Sequence, residues 1–287
     1  MSDYAVEIKG LKKSFDNFTL GPIDLNIPRG TIVGYIGQNG AGKSTTIKLL
    51  LGLLRPDFGE INILGKRDAQ NVMLKDRIGV VFDDLYIPQE MNLMQVEKFC
   101  SMVYSKWDEK RFYELKNEFK LSNEKCIKNY SRGMKMKLGA AIALSHNAEL
   151  LILDEATSGL DPIIRDEILD ILLDFMQDEN HTILISSHIL SDLEKVSDYI
   201  AFINDGKLLF FEGKDELKEK YAICSISNEE AEKIDSSAIV GRRVHNFGQD
   251  LLVKRDEVHE DFELQKPSIE DIMIYFVKGD KYESSNL

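Results

Sequence analysis

The chain has 287 residues, of which 43% are hydrophobic, so it can form one large domain and a small appendage. Its formal net charge of −13 argues against a nucleic-acid-binding surface, which is normally basic. Three cysteines without a C-x-x-C pair argue against a disulfide framework or a zinc site and indicate a reducing cytoplasm. Without a signal peptide or a bilayer-length apolar run, we expect a soluble chain whose membrane role, if any, comes through a partner.

The N-terminal region predicts short strands at residues 6–8, 18–20 and 23–27, separated by glycine and proline. Sheet-forming residues interrupted this often indicate an antiparallel β layer beside a nucleotide-binding core. Phe15 is expected in the turn between the first two strands.

Residues 37–45 fit the pattern G-x-x-x-x-G-K-[ST]. An apolar run enters this loop and a helical pattern leaves it, so backbone N–H groups and a helix N-terminus would face a polyphosphate. A chance glycine-rich turn is the alternative, and the flanking strand and helix argue against it. Lys43 would reach the β- and γ-phosphates, and the Ser44 hydroxyl would bind Mg²⁺. The residues predicted to bind ATP here are Gly37, Asn39, Gly40, Ala41, Gly42, Lys43, Ser44 and Thr45.

From about residue 91 to 145 the pattern becomes helical. Apolar side chains recur there at helical spacing, and we interpret them, with Trp107, as core packing rather than a cofactor site. They are Met94, Val96, Phe99, Met102, Val103, Phe112, Leu115 and Phe119.

Polar side chains follow two predicted buried strands, at residues 150–153 and 182–185. After the first strand, Asp154 is placed to serve Mg²⁺ and Glu155 to accept a proton from an attacking water. A solvated loop is the other interpretation of that acidic pair. His188, after the second strand, would hold the γ-phosphate, although a single histidine is more often an ordinary surface or core residue.

Two helix starts complete the pattern. Ser131 and Gly133 precede a helix and would form a second anion site, although alone they would indicate only a routine helix start. Asp161 is a predicted N-cap, followed by proline, for a helix to about residue 176.

Residues 204–206 predict a hairpin turn, and Ser268 with Asp271 predicts a capping box for a last helix. Strands alternating with helices imply a largely parallel sheet.

These motifs, in this order, resemble the ATP-binding subunit of an ABC transporter over about residues 4–215. The resemblance implies an α/β P-loop ATPase with a parallel sheet core, an antiparallel β subdomain and a helical signature subdomain. The cassette would span 1–213, with the helical subdomain at about 91–145, and 214–287 would form a small α+β extension. The matching segments are 37–45, 131–134, 150–155, 158–161 and His188.

The resemblance also implies a head-to-tail dimer, with like or unlike subunits. In it, Ser131 and Gly133 of one subunit contact the γ-phosphate held by the other subunit's loop. Phe15 matches the aromatic residue that stacks on adenine, and Asp161 matches the loop that couples the two sites. The subunit would act with a separately encoded membrane permease, peripherally, at the cytoplasmic face of the cell membrane.

Three positions depart from the family's common pattern. Arg132 and Met134 stand where glycine and glutamine are usual, and Asp83 replaces a usual glutamine. These variants resemble the antibiotic- and drug-exporter branch. Asp83 would either engage Mg²⁺, directly or through water, or point to solvent and contact only the permease, and both interpretations stay open.

The first functional interpretation is therefore an ATPase that powers a permease exporting an antibiotic, a drug or a similar substrate. The alternative is a non-transport ABC ATPase acting on DNA or the ribosome, but the long coiled coils or basic insertions typical of those proteins are not visible. A catalytically inactive regulatory cassette is opposed by the intact Lys43, Asp154, Glu155 and His188.

Overall fold

The computed structural model describes residues 2–123, 125–259 and 261–278. The chain divides into two compact units, Met1–Phe211 and Glu212–Leu287. In chain order, the strands that begin in the first unit are β1 (Tyr4–Phe15), β2 (Phe18–Pro28), β3 (Ile32–Ile36), β4 (Phe58–Ile63), β5 (Ile78–Val81), β6 (Leu150–Asp154), β7 (Thr182–Ser187), β8 (Tyr199–Asn204) and β9 (Lys207–Gly213). Its helices are α1 (Lys43–Leu50), α2 (Val72–Lys75), α3 (Leu93–Val103), α4 (Glu109–Glu118), α5 (Arg132–Ala143), α6 (Pro162–Phe175) and α7 (Leu190–Val196).

A six-stranded sheet in the order β5-β6-β7-β3-β8-β9 carries the phosphate loop. The pairs β5–β6, β6–β7, β7–β3 and β3–β8 are parallel, which confirms the predicted core. Every residue of β3, β6 and β7 is buried, as expected for strands covered on both faces. Asp205 and Gly206 join β8 to β9 with φ values of 46° and 75°, the left-handed pair that a tight hairpin turn requires.

The antiparallel sheet is more continuous than the sequence predicts. β2, β1 and β4 lie side by side in that order, and β1 runs through Gly10 because a register shift between Ile8 and Leu11 absorbs the irregularity. The placement of Phe15 in a turn is wrong: Phe15 is the last residue of β1 and pairs with Phe18 of β2.

Both sheets and α1 share one hydrophobic cluster. Ile8 comes from the antiparallel sheet, Tyr35 and Ile152 from the parallel sheet, and Ile47 from α1, and each is at most 1% exposed. Burying an aliphatic or aromatic side chain of this kind contributes about 1.5–3 kcal/mol. The helix that begins at the phosphate loop is therefore held by the same core that joins the sheets.

The helical region corrects part of the packing prediction. Phe112 and Leu115 of α4 are fully buried, as expected. On α3, however, the buried residues are Leu93, Val96 and Cys100, which form a single face. The apolar residues around them fall outside that face because a helix repeats every 3.6 residues. Met94, Phe99, Met102 and Val103 are accordingly 59%, 42%, 71% and 56% exposed.

The second unit contains a four-stranded antiparallel sheet in the order β11-β12-β10-β13. At the start of α10, Ser268 and Asp271 form the predicted reciprocal cap, with Asp271 N donating to Ser268 Oγ at 3.0 Å and Ser268 N donating to Asp271 Oδ2 at 2.9 Å. Its elements are α8 (Lys214–Lys220), β10 (Tyr221–Ile226), α9 (Asn228–Ala231), β11 (Ile239–His245), β12 (Gly248–Lys254), β13 (Leu264–Gln265) and α10 (Ile269–Lys278).

Across the described ranges of both units, no helix is long and apolar enough to cross a membrane.

Candidate functional site

The phosphate loop connects β3 to α1 through positions that leave no room for a side chain. A Cβ atom on Gly37 would lie 2.3 Å from the carbonyl oxygen of Ile203. Gly42 caps α1 with a φ of 112°, and a Cβ there would lie 2.6 Å from Leu20 Cδ1. The loop therefore requires glycine at both positions, and its close packing fixes where the N-terminus of α1 points.

Lys43, the first residue of α1, is only 5% exposed. Its Nζ donates to the carbonyl oxygen of Gly37 at 2.7 Å and lies 3.2 Å from Glu155 Oε1. A buried ammonium needs such partners because removing it from water is costly. These contacts hold the Lys43 ammonium beside the phosphate loop.

A hydroxyl and a carboxylate meet beside the loop. Ser44 Oγ donates to Asp154 Oδ1 at 3.2 Å, and Ser186 Oγ donates to the same oxygen at 2.6 Å. Asp154 and Ser186 are paired residues at the carboxyl ends of the parallel strands β6 and β7. Ser186 was not predicted as a site residue, although a hydroxyl at the end of an apolar strand is a signal that could have identified it.

Glu155 and His188 form a second pair at the same edge of the sheet. Glu155 has a φ of 54°, in the left-handed region, and its N–H is directed at the carbonyl oxygen and the Oγ of Ser186, at 3.1 and 3.2 Å. His188 Nδ1 lies 2.6 Å from Glu155 Oε2. The Glu155 carboxylate thus lies between the lysine and the histidine, where it is 19% exposed and open to a reacting water.

A cavity of about 380 Å³ brings most of these groups together. Phe18, Gln38, Arg132 and Ser158 also line it, and sequence reasoning assigned them no role in binding. Gln38 belongs to the loop motif, and Ser158 and Arg132 belong to other matched segments. Their membership of these motifs is the sequence signal that identifies these three residues. The predicted site residues that line the cavity are Asn39, Gly40, Gly42, Lys43, Ser44, Thr45, Asp83, Glu155 and His188.

Comparison with known proteins identifies the family. Residues 20–158 match the family described as ABC transporter. The lantibiotic transport ATP-binding protein SrtF of Streptococcus pyogenes is 36% identical over 75% of this chain and 95% of its own length. The bacitracin transport ATP-binding protein BcrA of Bacillus licheniformis is 36% identical over 74% of this chain and 68% of its own length.

The chain belongs to the ABC transporter ATP-binding subunits. It is an ATPase of that family. A solved structure of an ATP-binding subunit of an ABC transporter, 28% identical, superimposes with a TM-score of 0.69 over 75% of this chain and 92% of the other. Both curated relatives are transport proteins, which favours transport over action on DNA or the ribosome.

Of the signature, residues 131–134, only Arg132 is among the residues that line the nucleotide cavity of about 380 Å³; Ser131 and Gly133 are not. Ser131 is the N-cap of α5, and its Oγ accepts from Met134 N at 3.2 Å. Gly133 is buried, and a Cβ there would lie 2.7 Å from Ile164 Cδ1 on α6. Asp161 caps α6 and accepts from two backbone N–H groups at 3.1 Å. Gly37, Ala41 and Phe15 also lie outside the cavity lining, although Phe15 stacks on Phe18 with ring centroids 6.3 Å apart.

The acidic turn after β5 faces α5. Asp83 lines the nucleotide cavity, and its neighbour Asp84 lies 3.7 Å from Lys135 Nζ. Both aspartates are exposed. The position at which this ABC ATPase departs from the usual glutamine therefore lies at the same cavity as the phosphate loop.

Proposed function

We propose that this ABC ATPase binds ATP with Mg²⁺ in the cavity described above and powers a separate membrane permease. The transported substrate is an antibiotic, a drug or a similar molecule, as the names of the relatives support. The observation that carries the proposal is the joining of Lys43, Glu155 and His188 by contacts of 3.2 and 2.6 Å at one cavity.

The residue roles follow from these contacts. Lys43 lies at the loop where phosphates would bind, so its ammonium neutralises phosphate charge. Glu155 faces the same cavity and takes a proton from the attacking water, while His188, within hydrogen-bond distance, orients that carboxylate and contacts the γ-phosphate. Phe15 and Phe18 offer an aromatic surface to adenine.

The oxygen atoms of Ser44 and Asp154 fit Mg²⁺. The ion prefers hard oxygen ligands and usually keeps only one or two carboxylates from the protein, with phosphates and waters at its other positions. Ser44 Oγ and Asp154 Oδ1 are already held 3.2 Å apart, and Ser186 fixes the carboxylate. Asp83 is the third candidate ligand. When bound, the ion would draw negative charge from the β- and γ-phosphate oxygens.

A second copy or a related subunit would complete the site. Ser131 and Gly133 lie outside the cavity of their own chain, which supports a head-to-tail dimer in which they face the partner's ATP. Asp161, at the start of α6, would lie near the junction of the two sites.

The permease would bind a cavity of about 850 Å³ in the first unit. Exposed apolar side chains line it, including Leu53, Val72, Met73 and Val103, which are 60%, 79%, 80% and 56% exposed. Large exposed apolar surfaces mark interaction sites.

Purification of the tagged full chain from membranes tests the proposal. We expect a strongly hydrophobic, separately encoded protein to co-purify, and Met73→Glu to abolish its recovery without changing ATP binding. Phe247→Glu is the matched control because Phe247 is 94% exposed but belongs to the second unit. Recovery of nucleic acid or ribosomes in place of a membrane protein would contradict the transport function.

We also propose the domain assignment of the cassette to residues 1–213, with its helical subdomain at about 91–145. Residues 214–287 would then form an accessory segment.

A further inference from the structure

Two residues that depart from the family's usual pattern line the same pair of cavities. Asp83 follows β5 and Arg132 begins α5, so they come from distant parts of the chain. Both nevertheless line the nucleotide cavity of about 380 Å³ and the neighbouring cavity of about 560 Å³. Their opposite charges therefore face a common space.

The Arg132 side chain lies against the loop that follows Glu155. A Cβ on Gly159 would be 2.9 Å from Arg132 Nη1, so the guanidinium touches the backbone of that loop. Within the described residues, neither Arg132 nor Asp83 makes a side-chain hydrogen bond or ion pair. Both charges are thus available to each other and to a ligand in the cavity.

The neighbouring residues already show charge pairing between these two segments. Asp84, next to Asp83, lies 3.7 Å from Lys135 Nζ. Lys135 is three positions after Arg132 on α5, and residues at that spacing share one face of a helix. The acidic turn therefore faces the cationic side of α5, and Arg132 is the cation on that side that reaches the nucleotide cavity.

The other charges that line the cavity indicate what the Arg132 guanidinium contributes. Lys43 supplies one positive charge but lies 3.2 Å from Glu155, which already offsets it. Asp83 adds another negative charge where phosphates would bind, and like charges repel over several ångströms. A further cation near Asp83 would reduce this repulsion when a triphosphate binds.

We propose that Arg132 and Asp83 act as an electrostatic pair within one chain. The guanidinium offsets the Asp83 carboxylate and so allows the cavity to accept the phosphates of ATP. This role in cis is separate from that of Ser131 and Gly133, which act on the partner's nucleotide. The inference rests on the proposed function, because it requires ATP in this cavity.

The test is the ATP dissociation constant of the purified full chain, titrated with EDTA present so that a metal role of Asp83 does not contribute. Arg132→Gln and Asp83→Asn remove charge and keep approximate shape. We expect Arg132→Gln alone to weaken ATP binding about tenfold, a coupling typical of residues that interact. Asp83→Asn alone should strengthen ATP binding in EDTA, because it removes a negative charge that repels the phosphates, and the double variant should bind ATP within about threefold of the wild type.

Two further variants separate charge from structure. Arg132→Lys keeps the charge and should bind ATP within about threefold of the wild type. Lys135→Gln removes a cation that lines only the neighbouring cavity, and should change the dissociation constant less than about twofold. Restoration in the double variant cannot come from misfolding.

An equal weakening by Arg132→Gln with and without Asp83→Asn would overturn the pairing. Failure of the wild-type chain to bind ATP in a parallel titration with Mg²⁺ present would instead overturn the proposed function, so the two failures are distinguishable.

Discussion

The proposed site has a phosphate-loop side, at the ends of β3, β6 and β7, and a signature side, at the start of α5. The two sides differ in whether a single chain brings their residues together. On the first side, Ser44 is already in contact with Asp154, and Glu155 with both Lys43 and His188. On the second, Ser131 caps α5 and lies outside the cavity. Adjacent parallel strands end at one edge and so bring their following residues together, whereas a helix cap points wherever its helix is packed. One chain therefore brings the proposed catalytic groups together, and in the proposed dimer the signature side would serve another chain.

The largest expected effect comes from the first side. Glu155→Gln should lower ATP turnover by on the order of 10²–10⁴-fold, because the amide cannot accept the proton of the attacking water. ATP binding should persist, since Lys43 and the loop remain, and the ATP-bound dimer should accumulate. Single-turnover hydrolysis and an ATP-binding titration measure the two properties separately.

Ser187→Ala is a matched control for that variant, because Ser187 is buried at the end of the neighbouring strand β7 but does not line the cavity. Turnover by Glu155→Gln close to that of the wild type would show that another group is the base.

The signature side is tested by Ser131→Arg in the Glu155→Gln background. The bulky cation should prevent ATP-driven dimerisation, while the ATP affinity of the monomer changes less than about twofold because Ser131 lies outside its own cavity. Light scattering with and without ATP measures the dimer. A dimer that persists would mean that the signature does not face the partner's nucleotide, and the contrast between the two sides would fail.

Asp83 lies where the two sides meet, and its expected effect is smaller. If it binds Mg²⁺, Asp83→Ala should raise the Mg²⁺ concentration for half-maximal hydrolysis by about three- to tenfold, the cost of losing one of several oxygen ligands. Asp84→Ala is the control, since Asp84 contacts Lys135 and does not line the nucleotide cavity. An unchanged Mg²⁺ titration with transport lost would assign Asp83 to the permease instead.

The smallest expected effect concerns the sheet that supports the first side. Arg77 donates two hydrogen bonds of 2.6 Å to Glu149, and these hold the pKa of Glu149 below its ordinary value of 4.5. A lowered acid pKa stabilises the fold above the unfolded-state pKa, and this stabilisation is lost as pH falls through the folded-state pKa. Glu149→Gln should lower the free energy of unfolding by about 1 kcal/mol at pH 7, since the pair is partly exposed.

Urea denaturation between pH 7 and pH 3 checks this, and the difference from the wild type should shrink below about pH 4.5. Glu114→Gln on α4 is the control, because its ion pairs are exposed and worth at most a few tenths of a kcal/mol. A Glu149→Gln effect that does not vary with pH would mean that packing, not charge, is lost.

The sequence predicts the phosphate-loop side well because each of its residues follows a buried strand or a glycine turn with a strict local pattern. It predicts the surroundings less well. Phe15 ends a strand because the β1–β2 pairing continues to Phe18, a tertiary contact that single-strand patterns do not contain. Met102 is 71% exposed because apolar spacing on α3 does not reveal which face the core covers. Arg132 reaches the cavity only through the packing of α5.

The left-handed backbone at Glu155 affects which amino acids could replace it over evolutionary time. For most residues with a Cβ, this left-handed conformation costs about 1–2 kcal/mol of stability. The cost is smaller for asparagine and almost zero for glycine. A gene copy no longer selected for hydrolysis would gain stability by drifting to one of those two residues. Retention of glutamate at position 155 in a descendant therefore indicates continued selection for hydrolysis, because the backbone conformation there disfavours glutamate.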